Sequence, residues 1–234
     1  MITGPNIIKN GLIFALDAGS TRCFSNGDTT ATDLVQEFNC SGANGTPGSG
    51  THSPSTGNFP AYNSVNGGVF DFAGGKGINI DGDLGTTTES SICLWFYKNS
   101  SNVQYFFDGR NDGGRWFLSN YNNSNINWDN NLRYNYESSY NTSASDFLNK
   151  WIFMVATSDS SGSKLYLNGS EVLTSTSTSV DEDFGKNFRI GTRYTTSASS
   201  QWTGYMGPIY FYNKVLTSSE VNQNYQVHKN RFIL

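Results

Sequence analysis

The residues best equipped for chemistry are few and far apart. Histidine occurs twice, as His52 in a polar stretch and as His228 near the chain end, so spacing sets up no His-assisted nucleophile. The acidic run Asp181-Glu182-Asp183 in SVDEDFG reads as a solvated cluster in a turn. Cys23, Cys40 and Cys93 form no CxxC or other metal-ligand spacing, and their odd number leaves a Cys23–Cys40 bridge as an open alternative. Aromatic residues amid amides offer more: a sugar needs flat apolar faces beside hydrogen-bonding groups. RWFLSNYNNSNINWDNNLRYNYESSY supplies Trp116, Tyr121, Trp128, Tyr134, Tyr136 and Tyr140, and GTRYTTSASSQWTGY adds Arg193, Tyr194 and Trp202. Alternation assigns several of these to a sheet interface, whereas turn residues such as Trp128 are expected outside it.

These residues need a scaffold, and the composition specifies one. With 16 Phe, 13 Tyr and 5 Trp among abundant Ser, Thr, Asn and Gly, the chain suits pleated strands joined by tight turns. GLIFALDAGS reads as a first strand after an arm over residues 1–10. Residues 25–66, holding SGANGTPGSGTHSPSTG, have too little apolar content to pack alone and are expected to form a long surface loop. GGVFDFAGGKGINID holds two short strands. SSICLWFYKNS and NVQYFFDG read as neighbouring strands, and RWFLSN and LRYNYES as a hairpin across an Asn-rich turn. NKWIFMVATSD is the most apolar strand. In SGSKLYLNGSEVL, Asn168-Gly169 supplies the left-handed residues of a tight hairpin turn.

One helix is specified locally. In VLTSSEVNQNY, Thr217 caps the first turn, Glu220 closes the capping box, and Leu216 and Val221 form a hydrophobic staple. Its role is structural, covering a sheet margin. The expected fold is all-β, a two-sheet antiparallel jelly-roll sandwich over residues 11–234 with a short C-terminal helix.

The segments KLYLNGSEV, GYMGPIYFYNKVLTSSEVNQNY, GLIFALDAGS and GGVFDFAGGKGINI together resemble the concanavalin A-like lectin/glucanase superfamily in its laminin-G-like form. In that family the closing strand ends in a Tyr-Asn-Arg-x-Leu-like turn. Here it reads Tyr212, Asn213, Lys214, Val215 and Leu216, with Lys in place of the commoner Arg. The resemblance implies a jelly roll. It implies no catalysis, because the Glu-x-Asp-x-x-Glu run of hydrolytic relatives is missing. It also implies a candidate calcium site at a sandwich rim, at Asp81 and Asp83 in NIDGDLG or at Asp108, Asn111 and Asp112 in FDGRNDGG. Both runs are ordinary turn sequences as well. No other cofactor is expected.

Stand-alone versions with this opening and closing are similar to virion proteins of tailed bacteriophages. The expectation is therefore a non-enzymatic virion structural protein, decorating a capsid and oligomeric, with a sugar-binding tail-fibre or adhesin domain as the alternative. An extracellular laminin-G-like adhesion domain ranks third. Ile7 and Ile8 in the arm, and Phe232, Ile233 and Leu234 in the tail, are the expected assembly contacts with other virion proteins or with like copies; packing back onto the domain is the alternative. A formal charge of -4 with scattered Lys and Arg argues against nucleic acid and anionic membranes as partners. The start carries no signal-peptide pattern, so assembly of virions in the host cytoplasm is the matching location.

Overall fold

A computed structural model of the chain describes residues 6–43, 58–73, 76–100, 104–109, 117–121, 125–129, 138–141, 147–176, 182–184, 188–192 and 201–233. Its strands are β1 (Leu12–Leu16), β2 (Ala31–Thr32), β3 (Asn39–Gly42), β4 (Ala61–Asn63), β5 (Val69–Asp71), β6 (Ile78–Ile80), β7 (Thr86–Thr87), β8 (Ser90–Lys98), β9 (Gln104–Asp108), β10 (Phe117–Tyr121), β11 (Asn125–Asp129) and β12 (Ser138–Asn141). Then follow β13 (Trp151–Asp159), β14 (Gly162–Leu167), β15 (Ser170–Ser175), β16 (Glu182–Asp183), β17 (Arg189–Ile190), β18 (Gly204–Tyr212) and the helix α1 (Ser218–Phe232).

Among the described residues these strands form two large antiparallel sheets. One runs β15-β14-β13-β8-β18-β5-β4, with β1 also paired to β18; the other runs β12-β11-β10-β9-β17-β6-β3-β2. β16 and β7 make a small separate pair. The two-sheet sandwich with one C-terminal helix is the expected architecture.

Alternation decides what each face of the first sheet meets. In β8, Ile92, Leu94 and Phe96 enter the core between the sheets, while Cys93 and Trp95 face the helix side. In β13, Ile152, Met154 and Ala156 point inward, and Phe153 and Val155 point outward. The outer residues would be costly to leave in water, at roughly 1.5–3 kcal/mol per large apolar side chain. α1 covers them with Val221, Tyr225 and Phe232.

The helix starts as its local sequence dictates. Glu220 N donates to Thr217 Oγ1 (3.3 Å), and Thr217 N donates to Glu220 Oε2 (2.9 Å). Lys214 Nζ lies 2.6 Å from Glu220 Oε1, so the Lys that replaces Arg still clamps the turn to the helix. Asn168 and Gly169 take φ of 50° and 84°, as the tight hairpin turn requires.

Several expectations are corrected. Residues 25–66 are not one surface loop: β2, β3 and β4 lie in them, and Asp33, Cys40 and Phe59 are buried. Composition hid this because the strands are two to four residues long, and β3 and β4 pair with β6 and β5 beyond the stretch. β8 and β9 face each other across the sandwich and do not pair within one sheet. β10 pairs with β11, so part of the Asn-rich stretch read as a turn is itself a strand.

The chain ends also differ from the assembly reading. Phe232 is buried, with its ring 4.8 Å from Trp95 and 4.5 Å from Trp151. Ile233 packs on the same cluster, and Leu234 lies outside the described residues. The arm is strapped to the helix: Asn224 Oδ1 accepts from Ile8 N (2.9 Å), Tyr212 Oη donates to Ile8 O (3.0 Å), and Gln223 Nε2 donates to Asn6 O (2.7 Å). Ile7 and Ile8 therefore pack on their own domain, because the outer face of the first sheet offers them an apolar seat.

The far half of the helix holds a pH-sensitive contact. His228 Nε2 lies 2.6 Å from Tyr210 Oη, and Arg231 Nη1 pairs with both oxygens of Asp17 at 2.9 and 3.0 Å. Burial lowers the His228 pKa to about 4; the Asp17 charge opposes this and Arg231 adds to it. Between the ordinary value of 6.5 and about 4, the unfolded chain binds a proton that the folded chain does not. The stabilisation is therefore complete above pH 6.5 and is lost as pH falls toward 4. Discounted for partial exposure, it amounts to roughly 2 kcal/mol. Urea unfolding at pH 7 and 4.5 should show a smaller acid loss in His228→Gln than in the unsubstituted chain; equal losses would assign the acid sensitivity to other groups.

Candidate functional site

The sequence-selected residues do not converge. Trp202 is wholly buried, its ring 4.5 Å from Phe106 and 5.6 Å from Phe96, so it belongs to the core and not to a sugar platform. Its polar neighbours in SSQWTG point to a surface position, but two Phe rings across the sheet interface claim it. Trp128 sits in β11, opposite Leu118 and Ser138, and not in a turn. Tyr121 and Tyr140 lie in β10 and β12. Trp116, Tyr134, Tyr136, Arg193 and Tyr194 lie outside the described residues.

The calcium candidates are also dispersed. Asp81 accepts from Asn39 Nδ2 (2.8 Å), Ser41 Oγ (2.9 Å) and Asn79 Nδ2 (2.7 Å), which supplies its carboxylate with neutral donors. Asp83 Oδ1 accepts from Gly85 N at 2.9 Å, a turn contact. Asp108 is buried in β9, where register sets it beside Arg189. Arg189 is also the register partner of Asn79, so β17 separates Asp108 from the Asp81 loop. Asn111 and Asp112 lie outside the described residues. Among the described residues, no three His, Cys, Asp or Glu side chains cluster as metal ligands. Cys23, Cys40 and Cys93 are all free and buried, and burial pushes the Cys23 thiol up to about 12.

A different set of side chains does come together. Trp151 in β13 pairs with Tyr97 in β8, Tyr97 with Tyr205 in β18, Tyr205 with Asp71 in β5, and Asp71 with Ala61 in β4. Directly paired residues of antiparallel strands share a face, so this is one row across five strands. Two residues along β8 and β13, Trp95 and Phe153 face the same way and are covered by α1. The row itself lies past the helix end, and Trp151, Tyr97, Tyr205 and Asp71 are all partly exposed.

Local sequence explains how the end of the helix seats on the sheet. β18 changes partner at Gly207-Pro208: β5 pairs with Tyr205 and Met206, and β1 with Ile209 to Tyr212. The pairing with β8 is bulged between Met206 and Ile209, where Pro208 has no N–H to donate. A Cβ on Gly207 would lie 2.6 Å from Phe232 Cζ and 3.1 Å from Trp95 Cβ. Glycine there lets the Phe232 ring settle on the strand, and this ring supports one side of Trp151.

The three aromatic rings form a compact patch. Centroids are 5.7 Å apart for Tyr97–Trp151, 5.7 Å for Tyr97–Tyr205 and 6.3 Å for Trp151–Tyr205, the last pair within 22° of parallel. At its border Asn63 Nδ2 donates to Asp71 Oδ2 at 3.3 Å, and Val65 N fixes Asn63 through its Oδ1 at 3.1 Å. The Tyr97 ring is inclined 56° to Trp151 and 43° to Tyr205, so the patch is faceted around one near-parallel pair. An apolar surface edged by phenol hydroxyls, an amide and a carboxylate can hold a ligand that has both a C–H face and hydroxyl groups. Sequence reading missed this row because its members come from strands dozens of residues apart. The available signal was that Tyr97, Trp151 and Tyr205 each sit near a strand end, on the helix side of the alternation.

Comparison with known proteins agrees with the fold. No curated protein sequence is recognisably similar to the chain. Domain 4 of AbnA, a GH43 extracellular arabinanase from Geobacillus stearothermophilus, solved with arabinotriose, is 18% identical with a TM-score of 0.64, over 92% of this chain and 98% of that one. A structure from work on ganglioside-dependent cell entry of botulinum neurotoxin type C is 14% identical with a TM-score of 0.65, over 93% of this chain and 51% of that one. Trypanosoma rangeli sialidase in complex with the inhibitor DANA is 16% identical with a TM-score of 0.62, over 94% of this chain and 33% of that one. The chain thus spans about half of the neurotoxin chain and a third of the sialidase. Residues 72–222 match the family Laminin_G_3 of the concanavalin A-like lectin/glucanases superfamily. With its jelly roll of two antiparallel sheets and that match across most of its length, the chain belongs to this laminin-G-like family of the concanavalin A-like superfamily.

Proposed function

We propose that the chain is a non-enzymatic, lectin-like carbohydrate-binding domain that holds a glycan on the Trp151–Tyr97–Tyr205 row. The observation that carries this reading is the row: three partly exposed aromatic side chains in cross-strand register, left open where the helix ends. The arabinotriose held by one structural neighbour and the ganglioside-dependent entry of another support the sugar class. Hydrolysis of a glycosidic bond takes two carboxyl groups flanking it, and among the described residues the row carries one, Asp71. Binding needs no metal in this arrangement.

The test is a glycan array probed with the full chain, followed by incubation of the best oligosaccharide and chromatography of the products. Expected are retained sugars, no shortened products, and binding unchanged by EDTA. New reducing ends would overturn the non-enzymatic part, and a glycan-free array the binding part. A virion-component role, with the apolar ends as its assembly surface, would need another surface, since Phe232 and the arm pack on their own domain. Native mass in solution is its test.

A further inference from the structure

We infer that the row selects neutral or amine-bearing sugars and rejects those carrying carboxylate or sulfate groups, with Asp71 as the discriminating residue. This rests on the carbohydrate-binding reading above. Register places Asp71 directly beside Tyr205 on the same face, so the carboxylate borders the surface on which a sugar ring would stack. Asn63 engages Oδ2, while Oδ1 has no hydrogen bond among the described residues. An ionised carboxylate only accepts. A ligand reaching it must donate, through hydroxyl groups or an ammonium. An anionic substituent at the same place would meet like charge at a partly buried position and could not donate.

Nearby cations do not reverse this balance. Lys98 follows Tyr97 in β8, alternates to the opposite face and is 2% exposed. Arg231, next to Phe232, is held by Asp17 through both carboxylate oxygens. Among the described residues, Lys150, exposed and adjacent in sequence to Trp151, and Lys76, which lines a surface pocket with Ala61 of β4, are cations to control for.

The experiment uses an array of neutral, amine-bearing, sialylated, uronic-acid and sulfated oligosaccharides, then calorimetric titration of the strongest binder. The variants are Asp71→Asn, Asp71→Lys, Lys150→Ala and Trp151→Ala, each checked for fold by circular dichroism. Neutral or amine-bearing sugars should lead. Asp71→Lys should weaken them about tenfold or more and raise the signal on acidic glycans, with Lys150→Ala near the unsubstituted chain. Asp71→Asn, which keeps an acceptor, should cost less for a neutral sugar than for an amine. Acidic glycans leading on the unsubstituted chain would overturn the inference. So would neutral binding lost in Trp151→Ala yet indifferent to Asp71→Lys, although glycan binding itself would stand. No binding to any sugar would overturn both.

Discussion

Phe232→Ala should destabilise the domain by about 3–5 kcal/mol without changing its native mass. The ring is 5% exposed, stacks near Trp95 and Trp151, and rests on Gly207, so truncation leaves a void bounded by two indoles and a strand. Trp95, itself stacked on Tyr225, limits collapse into it. For a chain of this length the Tm should fall by about 10 °C. Urea unfolding and native mass, measured on the same preparation, separate two roles for the chain end. Lost stability at constant mass fits a tail folded onto its own domain. Unchanged stability with a dissociating oligomer would make Phe232 an assembly contact instead. Because Phe232 supports Trp151, the same variant should also weaken glycan binding.

Asp33→Ala should cost a similar amount, about 3–5 kcal/mol, through hydrogen bonding and not packing. Asp33 is fully buried, and its carboxylate accepts from Ala15 N (2.7 Å), Val35 N (3.2 Å) and Gln36 N (2.6 Å). The Ala15 contact ties the 33–38 turn to β1, and Leu34 N returns a bond to Ala15 O at 2.9 Å. Alanine would strand a buried donor on β1 and release the turn. Asp33→Asn keeps the shape but puts an amide N–H₂ where an acceptor is needed, so it should recover only part of the loss. Equal stability of all three proteins in urea would show that these contacts contribute nothing.

How much of this was legible in the sequence depends on how far each determinant reaches along the chain. The capping box of Thr217 and Glu220 spans four residues and is fully readable, as is the Asn168-Gly169 turn. Alternation in β8 and β13 is readable too, because strand geometry imposes it within nine residues. Asp33 was not readable: its partner Ala15 lies 18 positions earlier, and nothing in a polar stretch marks one carboxylate as buried. Trp202 was misread for the converse reason, since polar neighbours surround a ring whose fate is set by Phe96 and Phe106. The candidate site depends on register among β13, β8, β18 and β5, which no local pattern encodes. The family resemblance supplied the fold, whereas the surface that could bind had to come from the pairing of strands.

The most direct test is calorimetric titration of the best array glycan into the unsubstituted chain, Trp151→Ala, Tyr205→Ala and the core control Trp202→Phe. Loss of either row aromatic should weaken binding about tenfold or more, because few contact residues carry most of an interface's energy. Trp202→Phe should bind like the unsubstituted chain once corrected for any unfolded fraction. Full affinity in both row variants would contradict the assignment of the site to the open half of the sheet.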